Sequence, residues 1–96
     1  AKGFEYLYCA GSENGERLAQ SFIDQHSATI PGQVDRGAKP ISTGERGNLF
    51  LIKTKPPAVI CEPFFGSNPT EWVLFDGNQE QLAELYADAL RNYFAA

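Results

Sequence analysis

Aromatic and other residues alternate at the start of the chain. Residues 4–9 read FEYLYC, and every second position carries an aromatic ring. A period of two combined with aromatic enrichment is typical of a β-strand. The segment therefore predicts a strand with one aromatic face and a second face formed by Glu5, Leu7 and Cys9.

The spacing of apolar positions then changes to that of a helix. Ser12 is a residue type that caps helices, and it stands just ahead of the new pattern. We expect an amphipathic helix that ends near Ala28, before Pro31 and Gly32. Its apolar stripe consists of Leu18, Ala19, Phe22 and Ile23.

A second amphipathic helix is predicted near the end of the chain. Asn78 opens it, and Gln81 stands three residues later, as in a capping box. The pattern is typical of a surface helix that packs on a sheet. Its stripe consists of Leu82, Leu85, Tyr86, Ala89, Tyr93 and Phe94.

The segment between these two helices carries weaker patterns. Residues 31–48 are rich in glycine, proline and polar residues, which predicts a long loop. Residues 49–52 form a short apolar run. Residues 58–65 form a second, nearly continuous apolar run, which predicts a strand buried on both faces. A helical turn is expected within residues 70–75. The order strand, helix, loop, strand, helix predicts an α/β fold, a mostly parallel sheet flanked by helices.

Length and charge exclude some classes of protein. The 96 residues suit one domain spanning residues 1–96. The net charge is −4 without a basic cluster, so nucleic acid is not an expected partner. No apolar run reaches the roughly 20 residues of a membrane helix, so no membrane partner is expected either. We expect Cys9 and Cys61 to be core residues and not a disulfide.

One acid stands inside an apolar run and is the main candidate for chemistry. Residues 56–68 read PPAVICEPFFGSN, in which Glu62 is the single acid. A general acid or base is one interpretation, because apolar neighbours favour the protonated carboxyl. A carboxylate paired with Arg36 or Lys39 from the predicted loop is the other. The residues alone leave both open.

Other polar residues have less specific interpretations. His26 lies near the end of the first helix, where a capping or surface role is favoured over metal ligation. Asp35, Arg36 and Lys39 could bind an anionic substrate group or simply be solvated. Trp72 could form a sugar platform, although packing is the more common role of such a residue.

Four segments in order carry a family resemblance. They are AKGFEYLY, LAQSFID, VDRGAKP and LFLIKTKPPAVICEPFFGSNPTE, followed by the closing amphipathic helix. Together they resemble the C-terminal half of the catalytic domain of zinc-dependent N-acetylmuramoyl-L-alanine amidases of the type-3 family. The specific parts are Arg36, Gly37 and Lys39, and the run T-K-x-P-A-V-x-x-E-x-x-F-x-x-N over residues 54–68.

The resemblance implies an activity and a set of site residues. Members of this family cut the amide between the lactyl group of N-acetylmuramic acid and L-alanine of the peptidoglycan stem. Glu62 matches the catalytic glutamate, and Arg36, Lys39 and Asn68 are the implied substrate-binding residues. This chain departs from the family with Pro63 and Phe64, where members commonly have a small or aliphatic residue and a glycine.

The resemblance also implies a zinc ion that this chain does not ligate. The family holds zinc with His, Glu and His, and all three precede the segment that corresponds to AKGFEYLY. We therefore expect no metal ligand in this chain, and zinc ligands upstream of Ala1. Zinc lowers the pKa of a bound water, and Glu62 would accept the proton of that water. The 96-residue chain alone is expected to be inactive.

Two hypotheses about the protein follow. The first is a fragment of a peptidoglycan hydrolase, an autolysin or an endolysin, acting in the periplasm, outside the cell at the wall, or released to the wall by a phage. The second is a non-catalytic binding or assembly module derived from the amidase fold. Because a half-domain exposes a sheet edge and an apolar face, a homodimer or association with the missing N-terminal half is expected.

Overall fold

A computed structural model describes residues 2–42, 57–63 and 79–95 of the chain. These residues form a three-stranded sheet and two helices. In chain order the elements are β1 (Phe4–Cys9), α1 (Glu13–Thr29), β2 (Asp35–Ile41), β3 (Val59–Glu62) and α2 (Gln79–Ala95). β1 lies in the middle, parallel to β2 and antiparallel to β3. The predicted α/β fold is confirmed, and among the described strands the sheet is mixed.

β1 has the bounds that its period of two predicted. Phe4 and Tyr6 are fully buried and Tyr8 nearly so, whereas the three residues between and after them are half-buried. The aromatic side chains pack against the two helices. β1 is thus the strand on which the core is built.

α1 begins where its cap predicted and ends one residue after the predicted position. The Ser12 side chain accepts a hydrogen bond from the backbone N–H of Gly15 at 3.0 Å. Such a cap stabilises a helix by about 1 kcal/mol. At the other end the Ile30 N–H donates to the carbonyl of His26 at 2.8 Å, and Pro31 follows. The predicted apolar stripe is buried in full: Leu18, Ala19, Phe22 and Ile23.

β2 occupies residues that the sequence assigned to a loop. That prediction was wrong for residues 35–41, because β1 supplies the backbone hydrogen-bond partners that their polar composition does not suggest. In the sheet order, β2 is an edge strand of the described residues. An edge position also tolerates Pro40, which has no N–H to donate.

β3 covers the centre of the strand predicted for residues 58–65. All four of its residues are half-buried, so the prediction of burial on both faces was wrong. Val59 and Cys61 pack against the core, and Ile60 and Glu62 therefore lie on the other face. The elements predicted at residues 49–52 and 70–75 lie outside the described residues, as does the predicted Asn78 cap.

α2 packs on α1 and the sheet, and its predicted stripe is correct except at one end. Leu85 and Ala89 are fully buried, and the Ala89 carbonyl accepts a hydrogen bond from Ser21 Oγ at 2.7 Å. Phe94, in contrast, is 76% exposed. Each helical residue turns the side chain by about 100°, so Phe94 lies beside the stripe, where its ring contacts that of Tyr93 edge-on at 4.9 Å between centroids.

The two cysteines are both free thiols. Cys61 packs against the aromatic core, as predicted. Cys9 is half-buried on the opposite face of β1, so its predicted core position was wrong: it belongs to the non-aromatic half of the strand's alternation. Neither described helix has the length and apolar character needed to cross a membrane.

Candidate functional site

Glu62 is the last residue of β3, and it lies on the face of the sheet away from the helices. The pairing of β1 with β3 puts Glu62 directly opposite Glu5. Residues that lie opposite each other in an antiparallel pair project to the same face with Cβ atoms about 5 Å apart. We call this side the acid face. Its residues on these two strands are Glu5, Leu7, Cys9, Ile60 and Glu62.

A bulge in β2 carries Arg36 to the acid face. The register between β1 and β2 shifts beside Glu5, so that Arg36 and Gly37 together face this one residue. Asp35 Oδ1 accepts a hydrogen bond from the Gly37 N–H at 2.8 Å. Gly37 has a φ of 85°, a left-handed conformation that glycine adopts without strain. The Arg-Gly pair is thus the bulge itself.

Arg36 forms an ion pair with the acid that faces Glu62. Its Nε atom donates to Glu5 Oε1 at 2.9 Å, and the two side chains are 42% and 14% exposed. The guanidinium offsets the negative charge of Glu5, which reduces the repulsion between the two opposed carboxylates. The sequence left Arg36 and Lys39 open as partners of Glu62. The structure pairs Arg36 with Glu5 and places Lys39, which is exposed, opposite Leu7 in the register. A pairing of Glu62 with Arg36 or Lys39 stays a prediction.

The other predicted site residues have different outcomes. Asp35 forms the turn of the bulge, which is a structural role. Asn68 and Trp72 lie outside the described residues. The substrate-binding role of Asn68 and the two interpretations of Trp72 therefore stay predictions.

His26 is buried, and the predicted surface or capping role of its side chain was wrong. Its imidazole is 0% exposed and stacks on Phe4 with 3.8 Å between ring centroids. The physical reason is that position 26 lies four residues after Phe22 and so continues the buried stripe of α1. Nδ1 lies 2.7 Å from the Tyr6 hydroxyl, and Nε2 lies 2.7 Å from Gln33 Oε1. Both ring nitrogens are therefore satisfied.

A chain of hydrogen bonds runs from this histidine to the residue after Glu62. Gln33 Nε2 donates to the carbonyl of Pro63 at 2.7 Å. Because a carbonyl only accepts, the amide nitrogen must face Pro63 and Oε1 must face His26. The His26 ring therefore donates from Nε2 to Gln33, and its Nδ1 shares a hydrogen bond with the Tyr6 hydroxyl. We call this chain the Tyr6–Pro63 relay.

One thiol and two tyrosines on the helix-covered face keep their protons at ordinary pH. Burial raises the pKa of the Cys61 thiol to about 11. It also raises the pKa of Tyr6 and that of Tyr86 well above the usual tyrosine value. A thiol that keeps its proton is a poor nucleophile. Cys61, although adjacent to Glu62 in the chain, is therefore not a candidate for covalent catalysis.

The donor set of the described residues does not fit a zinc site. Within residues 2–42, 57–63 and 79–95, no three His, Cys, Asp or Glu side chains are grouped so that they could hold a metal ion. Both nitrogens of His26 already have partners. A zinc ion would have to take its ligands from elsewhere.

Sequence reasoning missed Glu5 and Gln33. The alternation in β1 had assigned Glu5 to the non-aromatic face. Together with the register of β1 and β3, this assignment would have identified Glu5 as the residue opposite Glu62. Gln33 gave no signal, because it lies in the connection between α1 and β2 and its partner Pro63 is 30 residues further along the chain.

Comparisons with known proteins identify the fold. No family model matches the sequence, and a search of curated proteins finds no match. Among solved structures, an N-acetylmuramoyl-L-alanine amidase from Clostridium difficile 630 is similar, with a TM-score of 0.83 and 24% identity. The match covers 100% of this chain and 50% of that amidase.

Two further amidase structures are similar over nearly the whole chain. The CwlD amidase from Clostridioides difficile, in complex with the GerS lipoprotein, gives a TM-score of 0.86 at 20% identity and covers 99% of this chain and 47% of that one. The amidase AmiC2 of Nostoc punctiforme gives 0.76 at 21%, with 99% and 49% covered. The chain thus spans about half the length of these relatives. Over that half, it has the fold of N-acetylmuramoyl-L-alanine amidases.

Proposed function

We propose that this chain is part of a peptidoglycan hydrolase that cleaves the amide between N-acetylmuramic acid and L-alanine. Glu62 is the acid/base residue of that reaction. The observation that carries the proposal is the position of Glu62: it ends a strand of an amidase fold, on the face of the sheet away from the helices, where the run T-K-x-P-A-V-x-x-E predicts the catalytic glutamate.

Amide hydrolysis needs a group that first accepts a proton from water and then donates it to the leaving amine. Water attacks the carbonyl carbon of the lactyl group, and the Glu62 carboxylate accepts a proton from this water. The C–N bond then breaks, and the protonated carboxyl gives that proton to the departing amine of L-alanine. The products are a lactyl carboxylate and a peptide with a free N-terminal alanine. A half-buried carboxylate at a strand end suits this role, because it can reach solvent while its backbone is held.

The proposal includes a zinc ion, for which the described residues supply no binding site. The described side chains lack a fitting donor set. We place its ligands outside this chain, and we expect the 96 residues alone to be inactive. When bound, zinc would polarise the scissile carbonyl and activate water. Within this chain, only the proton transfer at Glu62 is assigned.

The acid face also suggests how substrate charge is handled. Arg36 is already paired with Glu5, so its guanidinium mainly compensates that carboxylate. Lys39 lies exposed opposite Leu7 and is the more available cation for a carboxylate of the stem peptide. With Asn68, these are the proposed substrate-binding residues.

Location and partners follow from the substrate. A peptidoglycan amidase acts at the cell wall, so we propose a periplasmic, secreted or phage-released protein. One similar amidase was solved with a lipoprotein partner, and a homodimer or association with an N-terminal half are the forms we propose here. A second candidate is a non-catalytic binding or assembly module that keeps the amidase fold.

Digestion of purified peptidoglycan tests the proposal. The product of the longest reading frame that contains this sequence is incubated with peptidoglycan, and newly formed N-terminal alanine is counted by dinitrophenyl labelling. We expect release by the wild type and a loss of about 10²- to 10⁴-fold in Glu62→Gln. Glu84→Gln, an exposed carboxylate on α2, is the matched control and should keep the wild-type rate. Equal rates in all three proteins would refute the role of Glu62, and no alanine release by the wild type would favour the binding module.

A further inference from the structure

The Tyr6–Pro63 relay ends one residue after Glu62, where the pairing of β3 with β1 ends. Glu62 is the last residue of β3 that pairs with β1. Pro63 has no N–H, so it cannot continue the pattern of backbone donors. Its carbonyl accepts from Gln33 Nε2 at 2.7 Å instead. The backbone on both sides of Glu62 is thereby held, by β1 on one side and by Gln33 on the other.

The anchor at Gln33 is itself fixed by buried groups. Its Oε1 accepts from His26 Nε2 at 2.7 Å, and that ring is fully buried and stacked on Phe4. The Tyr6 hydroxyl shares a hydrogen bond with the other ring nitrogen at 2.7 Å. A glutamine in a connecting segment would ordinarily sample several rotamers, and this one is restrained because each end of its amide has a partner.

We infer that Gln33 is a positioning residue for Glu62. It holds the Pro63 carbonyl, and through it the strand end that carries the carboxylate, in the geometry needed for proton transfer. The inference rests on the proposed function of Glu62.

A double-mutant cycle tests the inference in the product of the full reading frame. Gln33→Leu removes both hydrogen bonds at similar volume. We expect kcat to fall roughly 10- to 100-fold, because small displacements of a catalytic group have effects of this size. KM should change little, whereas the unfolding midpoint should fall, because His26 Nε2 and the Pro63 carbonyl lose these two hydrogen bonds; kcat is therefore measured well below the midpoint. Because Gln33 acts through Glu62, the same change in a Glu62→Gln background should cause no further loss.

Gln25→Leu is the matched control. Gln25 also makes two side-chain hydrogen bonds, to Thr29 and Asn92, but it has no part in the relay. We expect it to keep the wild-type kcat. An equal loss from Gln33→Leu with and without Glu62, or a fall in kcat that Gln25→Leu reproduces, would overturn the positioning role.

A second measurement separates this inference from the proposed function. The ¹³C shift of the Pro63 carbonyl and the ¹⁵N shifts of His26, the single histidine of this chain, report the relay directly. Both should move in Gln33→Leu and stay in Gln25→Leu. An inactive wild type would refute the proposed function, and with it the catalytic meaning of the relay. If the wild type is active but the ¹³C shift of the Pro63 carbonyl does not change in Gln33→Leu, the relay alone is refuted.

Discussion

The two faces of the sheet use the same strands for different purposes. On the helix-covered face, Phe4 and Tyr6 are fully buried and pack among aromatic rings. The acid face is formed by the alternate residues of the same strands. There Glu5 and Glu62 lie opposite each other, and Arg36 forms a partly exposed ion pair with Glu5. The period of two thus separates residues that hold the fold from those suited to chemistry. Substitutions on the first face should change stability, and those on the second should change the rate.

The largest effect on stability is expected at Phe22, which joins α1 to the aromatic core. Its ring lies 5.3 Å from those of Tyr6 and Tyr86. Phe22→Ala should lower the free energy of unfolding by about 3–5 kcal/mol. Phe94→Ala, which changes a ring that is 76% exposed, should change it by less than about 0.5 kcal/mol. Chemical denaturation followed by circular dichroism measures both, and similar values for the two variants would contradict the assignment of the core.

A smaller loss is expected from Tyr6→Phe, which keeps the ring and removes one hydroxyl. The Nδ1 atom of His26 then loses its hydrogen bond to that hydroxyl inside the core. An unsatisfied buried group of this kind costs about 1–3 kcal/mol. Tyr93→Phe removes a hydroxyl that accepts from the exposed Arg17 guanidinium, and it should change stability by less than about 0.5 kcal/mol. If Tyr93→Phe is the more damaging of the two, the relay does not contribute to stability.

Alkaline pH should weaken the helix-covered face through Cys61. Its folded pKa is about 11, raised by burial from 9.0. Between these values the unfolded thiol loses its proton before the folded one, so the unfolded state binds fewer protons and stability falls as pH rises. Below pH 9 the contribution is fully present. In urea titrations, Cys61→Ala should flatten this decline and Cys9→Ala should not; equal slopes in both variants would show that Cys61 is not its source.

The smallest effect is expected on the acid face, from Arg36→Met. The ion pair with Glu5 is partly exposed, and such pairs contribute about 0–1 kcal/mol. We expect a loss of that size at low salt and none at about 1 M salt, where screening is strong. Arg91→Met, which breaks a more exposed pair with Asp88, provides the comparison. A loss above 2 kcal/mol that persists in high salt would mean that the acid face also holds the fold.

Local patterns were sufficient to predict the strongly periodic elements. β1, α1 and the stripe of α2 through Tyr93 follow from the spacing of their apolar residues. β2 could not be predicted this way, since residues 35–41 form a strand only because β1 lies beside them. The burial of His26 was missed because its residue type was given more weight than its helical spacing.

The candidate site was predictable in part for the same reason. Glu62 was found from its place in an apolar run, and the resemblance gave it a role. Its neighbours depend on pairings across the fold: Glu5 comes from the register of β1 with β3, and Gln33 reaches Pro63 across 30 residues of sequence. No pattern within one segment contains such information. The bulge at Arg36 and Gly37 was predictable in part. Its glycine can be recognised in the sequence, but the register shift between β1 and β2 cannot.

The separation of the two faces is tested most directly by measuring rate and stability together for Glu62→Gln and Tyr6→Phe. The rate is the release of N-terminal alanine from peptidoglycan by the product of the full reading frame, and stability is its free energy of unfolding. We predict that Glu62→Gln loses about 10²- to 10⁴-fold in rate while its stability stays within about 1 kcal/mol. The main effect of Tyr6→Phe should be a lower free energy of unfolding. A Glu62→Gln protein that keeps its rate but unfolds as easily as Tyr6→Phe would contradict the account.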